Sequence, residues 1–141
     1  MAYRRVTGKR YVRTLPSADT LAAHDLVQFD EAGEVISAKT GKEVLGIALT
    51  AATASTNVDV DILRPKDIVE CDTITTGEVM AAGEVGNEFD LDTTAPETTI
   101  TTTESNGDGI FTGWDTTTTS KAYITFKNLA YGSSGVGVES T

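Results

Sequence analysis

Apolar and polar residues alternate over short stretches of this chain. Valine and isoleucine alternate with aspartate over residues 58–62, and residues 122–126 repeat the same alternation. Such a pattern is typical of a strand that buries one face and exposes the other to water. No long stretch keeps the apolar period of an α-helix, and β-branched residues, glycine and paired threonines dominate. The pattern therefore predicts an all-β fold.

Short strands separated by turns are predicted along most of the chain. The turns fall at 31–33, 40–42, 64–66 and 106–109, where glycine, proline or asparagine stands. Many short strands with frequent turns are typical of a sandwich or barrel-like fold. The predicted strands span residues 26–29, 34–38, 44–50, 58–63, 68–71, 78–80, 88–91, 109–114 and 121–128.

The N-terminal residues differ from the rest of the chain in charge. The first 13 residues hold five of the 11 cationic residues, whereas all 21 acidic residues follow them. We interpret residues 1–14 as a basic, extended arm that contacts an acidic face of another copy or of another protein, through arginine–carboxylate pairs. A frayed, solvated tail is the alternative. The residues predicted to make the contact are Tyr3, Arg4, Arg5, Lys9, Arg10, Tyr11 and Arg13.

The remainder of the chain is predicted to form one β domain, over residues 15–130. A weak internal repeat relates about 20–64 to about 77–128. It aligns Phe29 with Phe89 and the glycine Gly46 with Gly113. The alternative is that short β units resemble one another without being related.

Two segments of this domain organisation are predicted to lie outside the core. Threonine-rich residues 93–104 are expected to form an exposed loop or hairpin, or to be ordered by a partner. Residues 131–141 are expected to be a flexible tail. Because the arm is taken as separate, its removal (residues 1–13) is expected to leave the body folded.

The chain lacks the residue patterns of common catalytic sites. His24 is the single histidine, and no nucleophile elbow, Ser-x-x-Lys or His-Glu-x-x-His motif occurs. With Cys71 as the single cysteine, no internal disulfide can form and no cysteine-based metal cage can be built. We therefore predict a protein that is not an enzyme and has no cofactor.

The aspartates of the alternating segments could in principle bind a calcium ion. Asp59 and Asp61 would share one face of a strand, as would Asp90 and Asp92. Acids on the wet face of a strand also prevent edge-to-edge aggregation, and we favour that interpretation. The formal charge of −10 makes nucleic acid an unsuitable partner, and no apolar run is long enough to predict a membrane span or a secretory signal.

The order of motifs in the first half resembles a known protein family. The motifs are His-Asp-Leu-Val-Gln-Phe at 24–29, Gly-Glu-Val-Ile-Ser-Ala at 33–38, Val-Leu-Gly-Ile-Ala-Leu at 44–49 and Val-Asp-Val at 58–60. Together they resemble the capsid decoration, or cement, proteins of tailed bacteriophages. The resemblance covers residues 20–64 well and the second unit more loosely.

This resemblance implies a fold, a location and partners. The body would be a compact β-barrel or β-tulip-like unit of short antiparallel strands. It would sit on the outer surface of a mature HK97-type head as a homotrimer, bind the major capsid protein and stabilise the head. His24 stands where the family often has glycine, and the basic arm is inferred from charge alone. The alternative function is a tail or fibre component, or a carbohydrate-binding β-sandwich.

Overall fold

The chain folds into two antiparallel sheets. The computed structural model describes residues 3–39, 41–72, 84–92, 99–102, 107–114 and 121–131. The all-β prediction is confirmed, since this part of the chain consists of strands, turns and loops, with one sheet curled into a half-barrel. The strands are β1 (Tyr3–Arg5), β2 (Val12–Pro16), β3 (Leu26–Phe29), β4 (Val35–Ser37), β5 (Gly46–Ala48), β6 (Asn57–Ile62), β7 (Val69–Cys71), β8 (Glu88–Asp92), β9 (Thr99–Thr101), β10 (Gly109–Trp114) and β11 (Ala122–Phe126).

The period-two pattern located most of these strands. β3 and β10 have the predicted bounds, and β4 to β8 and β11 overlap the predicted segments to within a few residues. Three strands were missed: β1 and β2, which were assigned to the arm, and β9, which lies in the threonine-rich segment. The predicted strand at 78–80 and the predicted tail beyond residue 131 lie outside the described residues. The described ranges hold no helix that could span a membrane.

The two sheets have the same strand order. The five-stranded sheet runs β2-β6-β5-β3-β4, and the six-stranded sheet runs β1-β7-β11-β10-β8-β9. Without β1, each sheet is built from five strands that follow one another in the chain. In both sheets these strands lie in the order first, fifth, fourth, second, third. The topology therefore contains two equivalent units, β2–β6 and β7–β11, and β1 is an additional strand on the second.

The strand registers show which residues are equivalent in the two units. Gly46 begins β5 and pairs with Ile62 at the end of β6, and Gly109 begins β10 and pairs with Phe126 at the end of β11. A Cβ atom on either glycine would overlap a carbonyl oxygen of the neighbouring strand. Gly46 is thus equivalent to Gly109. The sequence alignment had matched Gly46 with Gly113 instead. The bulge that shifts the β10 register before Gly113 obscured this relation.

The equivalence of the two phenylalanines also shifts. In β3 the residue opposite Gly46 is Val27, and in β8 the residue opposite Gly109 is Phe89. Phe89 is therefore equivalent to Val27, two residues before the Phe29 that the sequence alignment chose. Both units place an apolar residue opposite the glycine. At Gly109 the Phe89 ring lies so close that only glycine leaves room for it.

Two apolar clusters fill the interior. Leu26 and Ile47 of the five-stranded sheet belong to a large cluster with the six-stranded sheet, while their neighbours Val27 and Ala48 belong to a smaller one. The inner strands β3 and β5 of the five-stranded sheet are therefore buried on both faces, while β2 at its edge is largely exposed. The large cluster contains Tyr3, Val69, Cys71, Phe89, Leu91, Ile100, Phe111, Ala122, Ile124 and Phe126. The smaller cluster contains Leu21, Val35, Leu45, Val58, Val60 and Ile62.

Replacing Gly46 by alanine tests the close approach of β5 and β6. The added methyl group would overlap the Asp61 carbonyl, so the strands must separate, and we expect the free energy of unfolding to fall by about 3 kcal/mol. Chemical denaturation of the purified variant measures this change. Gly113→Ala is the matched control, because its Cβ would lie 3.7 Å from the Tyr123 ring, an ordinary contact. Equal stability of the two variants would contradict the assignment.

Candidate interaction surface

The predicted N-terminal arm is part of the body. β1 pairs with β7 at one edge of the six-stranded sheet, and β2 pairs with β6 at one edge of the five-stranded sheet. The backbone is extended, as expected, but the segment divides its strands between the two sheets. Tyr3 is 2% exposed and belongs to the large apolar cluster. The assignment of Tyr3 as a residue that contacts a partner is therefore corrected: its side chain is a core residue.

Arg5 is the second predicted contact residue that the structure places inside. Its side chain is 8% exposed and crosses from β1 to β6. Nε and Nη2 donate to the two carboxylate oxygens of Asp61 at 2.9 and 2.8 Å, and Nη2 also donates to the Ile62 carbonyl at 3.1 Å. Nη1 donates to the Thr7 carbonyl at 3.1 Å and lies 2.8 Å from Asp67 Oδ2. All five N–H groups of the guanidinium are engaged within the chain.

The Arg5 cluster explains why Asp61 is buried. The alternating pattern placed Asp61 on a solvated face together with Asp59, but Asp61 is buried and its Oδ1 also accepts the Tyr11 N–H at 3.3 Å. Hydrogen bonding to Asp61, above all, raises the pKa of Arg5. A raised pKa stabilises the folded state at every pH below the ordinary pKa of arginine, and that contribution is lost only above it. The Arg5 charge is therefore fixed over the whole physiological range.

Removing residues 1–13 would take away more than a tail. The deletion would remove Tyr3 from the large cluster, uncover the outer edge of β7, and leave Asp61 and Asp67 without their arginine. In place of the expectation that the truncated body stays folded, we expect it to be strongly destabilised, because a buried carboxylate without its partner is costly. Single substitutions are the suitable probes of this segment.

The other five predicted contact residues have exposed side chains. They are Arg4, Lys9, Arg10, Tyr11 and Arg13. Arg4 is paired with Glu70 at 2.7 Å but stays 68% exposed. Arg64 and Arg13 lie close together, and Arg64 Nη2 donates to the Lys9 carbonyl at 2.6 Å, so the region around the start of β2 forms a cationic end on a chain whose formal charge is −10. The role of the five residues in contacting a partner stays a prediction.

A groove lies beside β2 at this cationic end. Its volume is about 320 Å³. Tyr11 and Tyr131, which are 46% and 50% exposed, stand on its walls, and Leu15 and Ile62 provide apolar surface. The Arg13 guanidinium lies over the Tyr11 ring, 5.8 Å from its centroid, and Nη1 donates to the Tyr11 hydroxyl at 2.9 Å. We call this site the Tyr11 groove, with lining residues Tyr11, Arg13, Leu15, Ile62, Arg64 and Tyr131.

Sequence reasoning found only part of the Tyr11 groove. Tyr11 and Arg13 were predicted as contact residues, but Arg64 was assigned only to a turn and Tyr131 to the tail. The positive charge of Arg64 beside a proline was a signal that went unused. Nothing local in the sequence indicates that Tyr131 meets β2, since more than 100 residues separate them.

Other candidate chemical sites have structural explanations. Asp59 accepts the Thr14 hydroxyl at 2.6 Å, and Asp90 accepts the Gly107 N–H at 2.8 Å. His24 has a φ of 74° in the turn before β3, where its N–H donates to the Ala48 carbonyl and its own carbonyl accepts the Tyr3 N–H. Within the described ranges, no three histidine, cysteine, aspartate or glutamate side chains are grouped so that they could hold a metal ion.

Comparisons of this chain with protein-family models, with curated proteins and with solved structures gave no match.

The neighbouring residues Arg4 and Arg5 allow a matched test of the buried cluster. Arg5→Gln leaves Asp61 and Asp67 without the buried cation that contacts both of them, and we expect it to lower the free energy of unfolding by about 3 to 5 kcal/mol. Arg4→Gln removes an ion pair at the surface, and we expect a loss below about 1 kcal/mol. Denaturant titration of both variants provides the comparison. A loss in Arg5→Gln as small as in Arg4→Gln would contradict the structural role of Arg5.

Proposed function

We propose that this chain is a capsid decoration protein, which binds the outer surface of a mature HK97-type phage head and stabilises it as a homotrimer. The observation that carries the proposal is the Tyr11 groove, an apolar and cationic surface beside an open edge strand on an otherwise acidic body. The motifs at 24–29, 33–38, 44–49 and 58–60 support the choice of a viral shell as the partner.

The exposed surface at this end is suited to binding a protein. Tyr11, Val12 and Tyr131 are large apolar side chains that are each at least 44% exposed, and Tyr11 and Tyr131 line one groove. Tyrosine and arginine are the residue types that contribute most to protein interfaces, since they bury large areas and still satisfy their polar groups. The acidic remainder of the body is repelled by acidic surfaces, so the charge distribution orients the cationic end towards them.

The fixed position of β1 and β2 favours tight binding. Each segment is held in a sheet by backbone pairing, and Arg5 ties the loop between them to Asp61 and Asp67. The exposed side chains of this segment are therefore ordered before a partner arrives. Binding then costs less conformational entropy than it would for a free arm.

Stabilisation of a shell follows from preferential binding. A protein that binds the mature shell and not its dissociated subunits adds a free energy of RT ln(1 + [L]/Kd) per occupied site. At a free concentration of a hundred times Kd this is about 2.7 kcal/mol per site. Many sites on one shell make the sum large, so no catalytic group is needed.

A carbohydrate-binding function is the second candidate, because the two exposed tyrosines of the Tyr11 groove could stack against a sugar ring. Among the described residues that line the groove, none carries a carboxylate or carboxamide to bind sugar hydroxyls. A glycan array separates the two functions: selective glycan binding that Tyr11→Ala and Tyr131→Ala abolish would favour carbohydrate recognition over decoration.

Head binding is the direct test of the proposed function. Mature heads of the virus that encodes this chain, prepared without it, are mixed with the purified protein and sedimented. We expect saturable binding to mature heads, weaker binding to precursor shells, and a higher temperature of DNA release from decorated heads. Heads that sediment without the protein at micromolar concentrations would overturn the proposal.

The solution mass tests the trimer. Light scattering of the purified full-length protein is expected to give three chain masses, because three-fold sites favour a three-fold ligand through multivalent attachment. Dilution to nanomolar concentration tests how stable the trimer is. A monomer both in solution and on decorated heads would contradict the trimer, while leaving head binding to be judged by sedimentation.

A further inference from the structure

The two units differ at one equivalent edge. β7 occupies the same position in its unit as β2 does in the other, since each pairs with the last strand of its unit. The outer edge of β7 is covered by β1, which pairs with it antiparallel from Tyr3 opposite Cys71 to Arg5 opposite Val69. No strand of the described ranges covers the outer edge of β2. The pairing of β1 with β7 therefore shows how a strand is added at this position of a unit.

Within the described ranges, the outward backbone groups of β2 have the geometry to accept such a strand. At one end the Ile62 N–H donates to the Tyr11 carbonyl at 2.9 Å, and at the other the Ser17 N–H donates to the Thr56 carbonyl at 2.8 Å. In an antiparallel pair, alternate residues bond to the same neighbour. These two bonds therefore direct the odd-numbered residues towards β6, and Val12 and Thr14 outwards. Pro16 has no N–H, so Thr14 is the last outward-facing residue of β2 that can both donate and accept a backbone hydrogen bond.

The Tyr11 groove indicates which side chains an added strand would carry. Arg13 stacks on Tyr11 and has no carboxylate in the contacts described for it. Arg64 Nη2 donates to the Lys9 carbonyl at 2.6 Å, and its Nε lies 4.0 Å from Asp67 Oδ2. Each guanidinium keeps further N–H groups that can donate to a carboxylate from outside, in the bidentate geometry typical of arginine–carboxylate pairs. Between them, Leu15 and Ile62 offer an apolar surface to one side chain.

We propose that the open edge of β2 and the Tyr11 groove bind an extended acidic segment of another protein chain by β-strand addition. The backbone of the segment pairs with Val12 and Thr14, its carboxylates meet Arg13 and Arg64, and an apolar side chain packs between Tyr11 and Tyr131. The inference rests on the proposed function only for the source of the segment, which the phage shell would supply.

Two substitutions at Val12 separate strand addition from simple charge attraction. The probe is a fluorescein-labelled peptide of alternating glutamate and valine, seven residues long, with the corresponding lysine–valine peptide for comparison, and binding is measured by anisotropy. Val12→Pro removes an outward N–H and leaves the bonds to β6 intact. We expect it to weaken binding of the acidic peptide by about 10-fold or more. Val12→Ala keeps the N–H and is expected to bind within about 3-fold of the unchanged protein.

A second pair of variants tests the charge recognition. Arg13→Glu is expected to weaken binding of the acidic peptide by about 10-fold and to reduce its dependence on salt concentration. Lys39→Glu makes the same charge change at an exposed residue outside the groove, and we expect it to change the affinity by less than about 3-fold. Thermal unfolding followed by circular dichroism shows that each variant is folded.

The outcomes distinguish this inference from the proposed function. Binding of the acidic peptide that Val12→Pro and Arg13→Glu weaken, and their controls do not, supports the inference. Equal binding of the acidic and basic peptides, or equal binding by Val12→Pro and Val12→Ala, overturns it. If Val12→Pro and the unchanged protein load heads equally, the shell contact lies elsewhere and decoration stands without this site. If neither protein binds heads but the peptide results are as expected, the proposed decoration function is overturned and the peptide-binding site at β2 is supported.

Discussion

The buried guanidinium of Arg5 is the interaction on which the arrangement of the N-terminal region depends. It lies on β1 in one sheet, binds Asp61 on β6 of the other, and reaches Asp67 in the turn that leads to β7. A buried charge is costly unless its partners and hydrogen bonds are complete, and here every N–H of the guanidinium has an acceptor. The cluster therefore specifies where the N-terminal segment lies, and it holds β2 and its exposed residues in place.

The units β2–β6 and β7–β11 are equivalent in topology but differ at one edge. Both units close in the same order, and both use a glycine at the start of the fourth strand to bring two backbones together. What breaks the symmetry is β1, which covers an edge in one unit, whereas no strand of the described part of the chain covers the equivalent edge of the other. An open edge is an aggregation hazard, and here the exposed charges of Arg13 and the proline at position 16 restrict what can pair with it.

Sequence reasoning was most successful where the pattern is local. Strands such as β3 and β10 were located because their period of two and their flanking turns lie within a few residues. It failed at Arg5 and Asp61, since a charged residue is ordinarily solvated and nothing near either one indicates a partner that lies 56 positions away. The Tyr11 groove was found in part for the same reason, because Tyr131 joins Tyr11 only in three dimensions. The shift from Gly113 to Gly109 arose from a bulge, which a sequence alignment of short units cannot detect.

The pairing of β1 with β7 also has a consequence for synthesis of the chain. Tyr3, Arg4 and Arg5 are made before their partners Val69, Glu70 and Cys71, which follow some 66 residues later. At about 5 to 20 residues per second, this separation corresponds to a delay of roughly 3 to 13 seconds. During that interval the side chain of Tyr3 has no sheet to join, because β1 cannot pair before β7 has been made. The β1 segment thus joins its sheet only after the first unit, β2–β6, has been made.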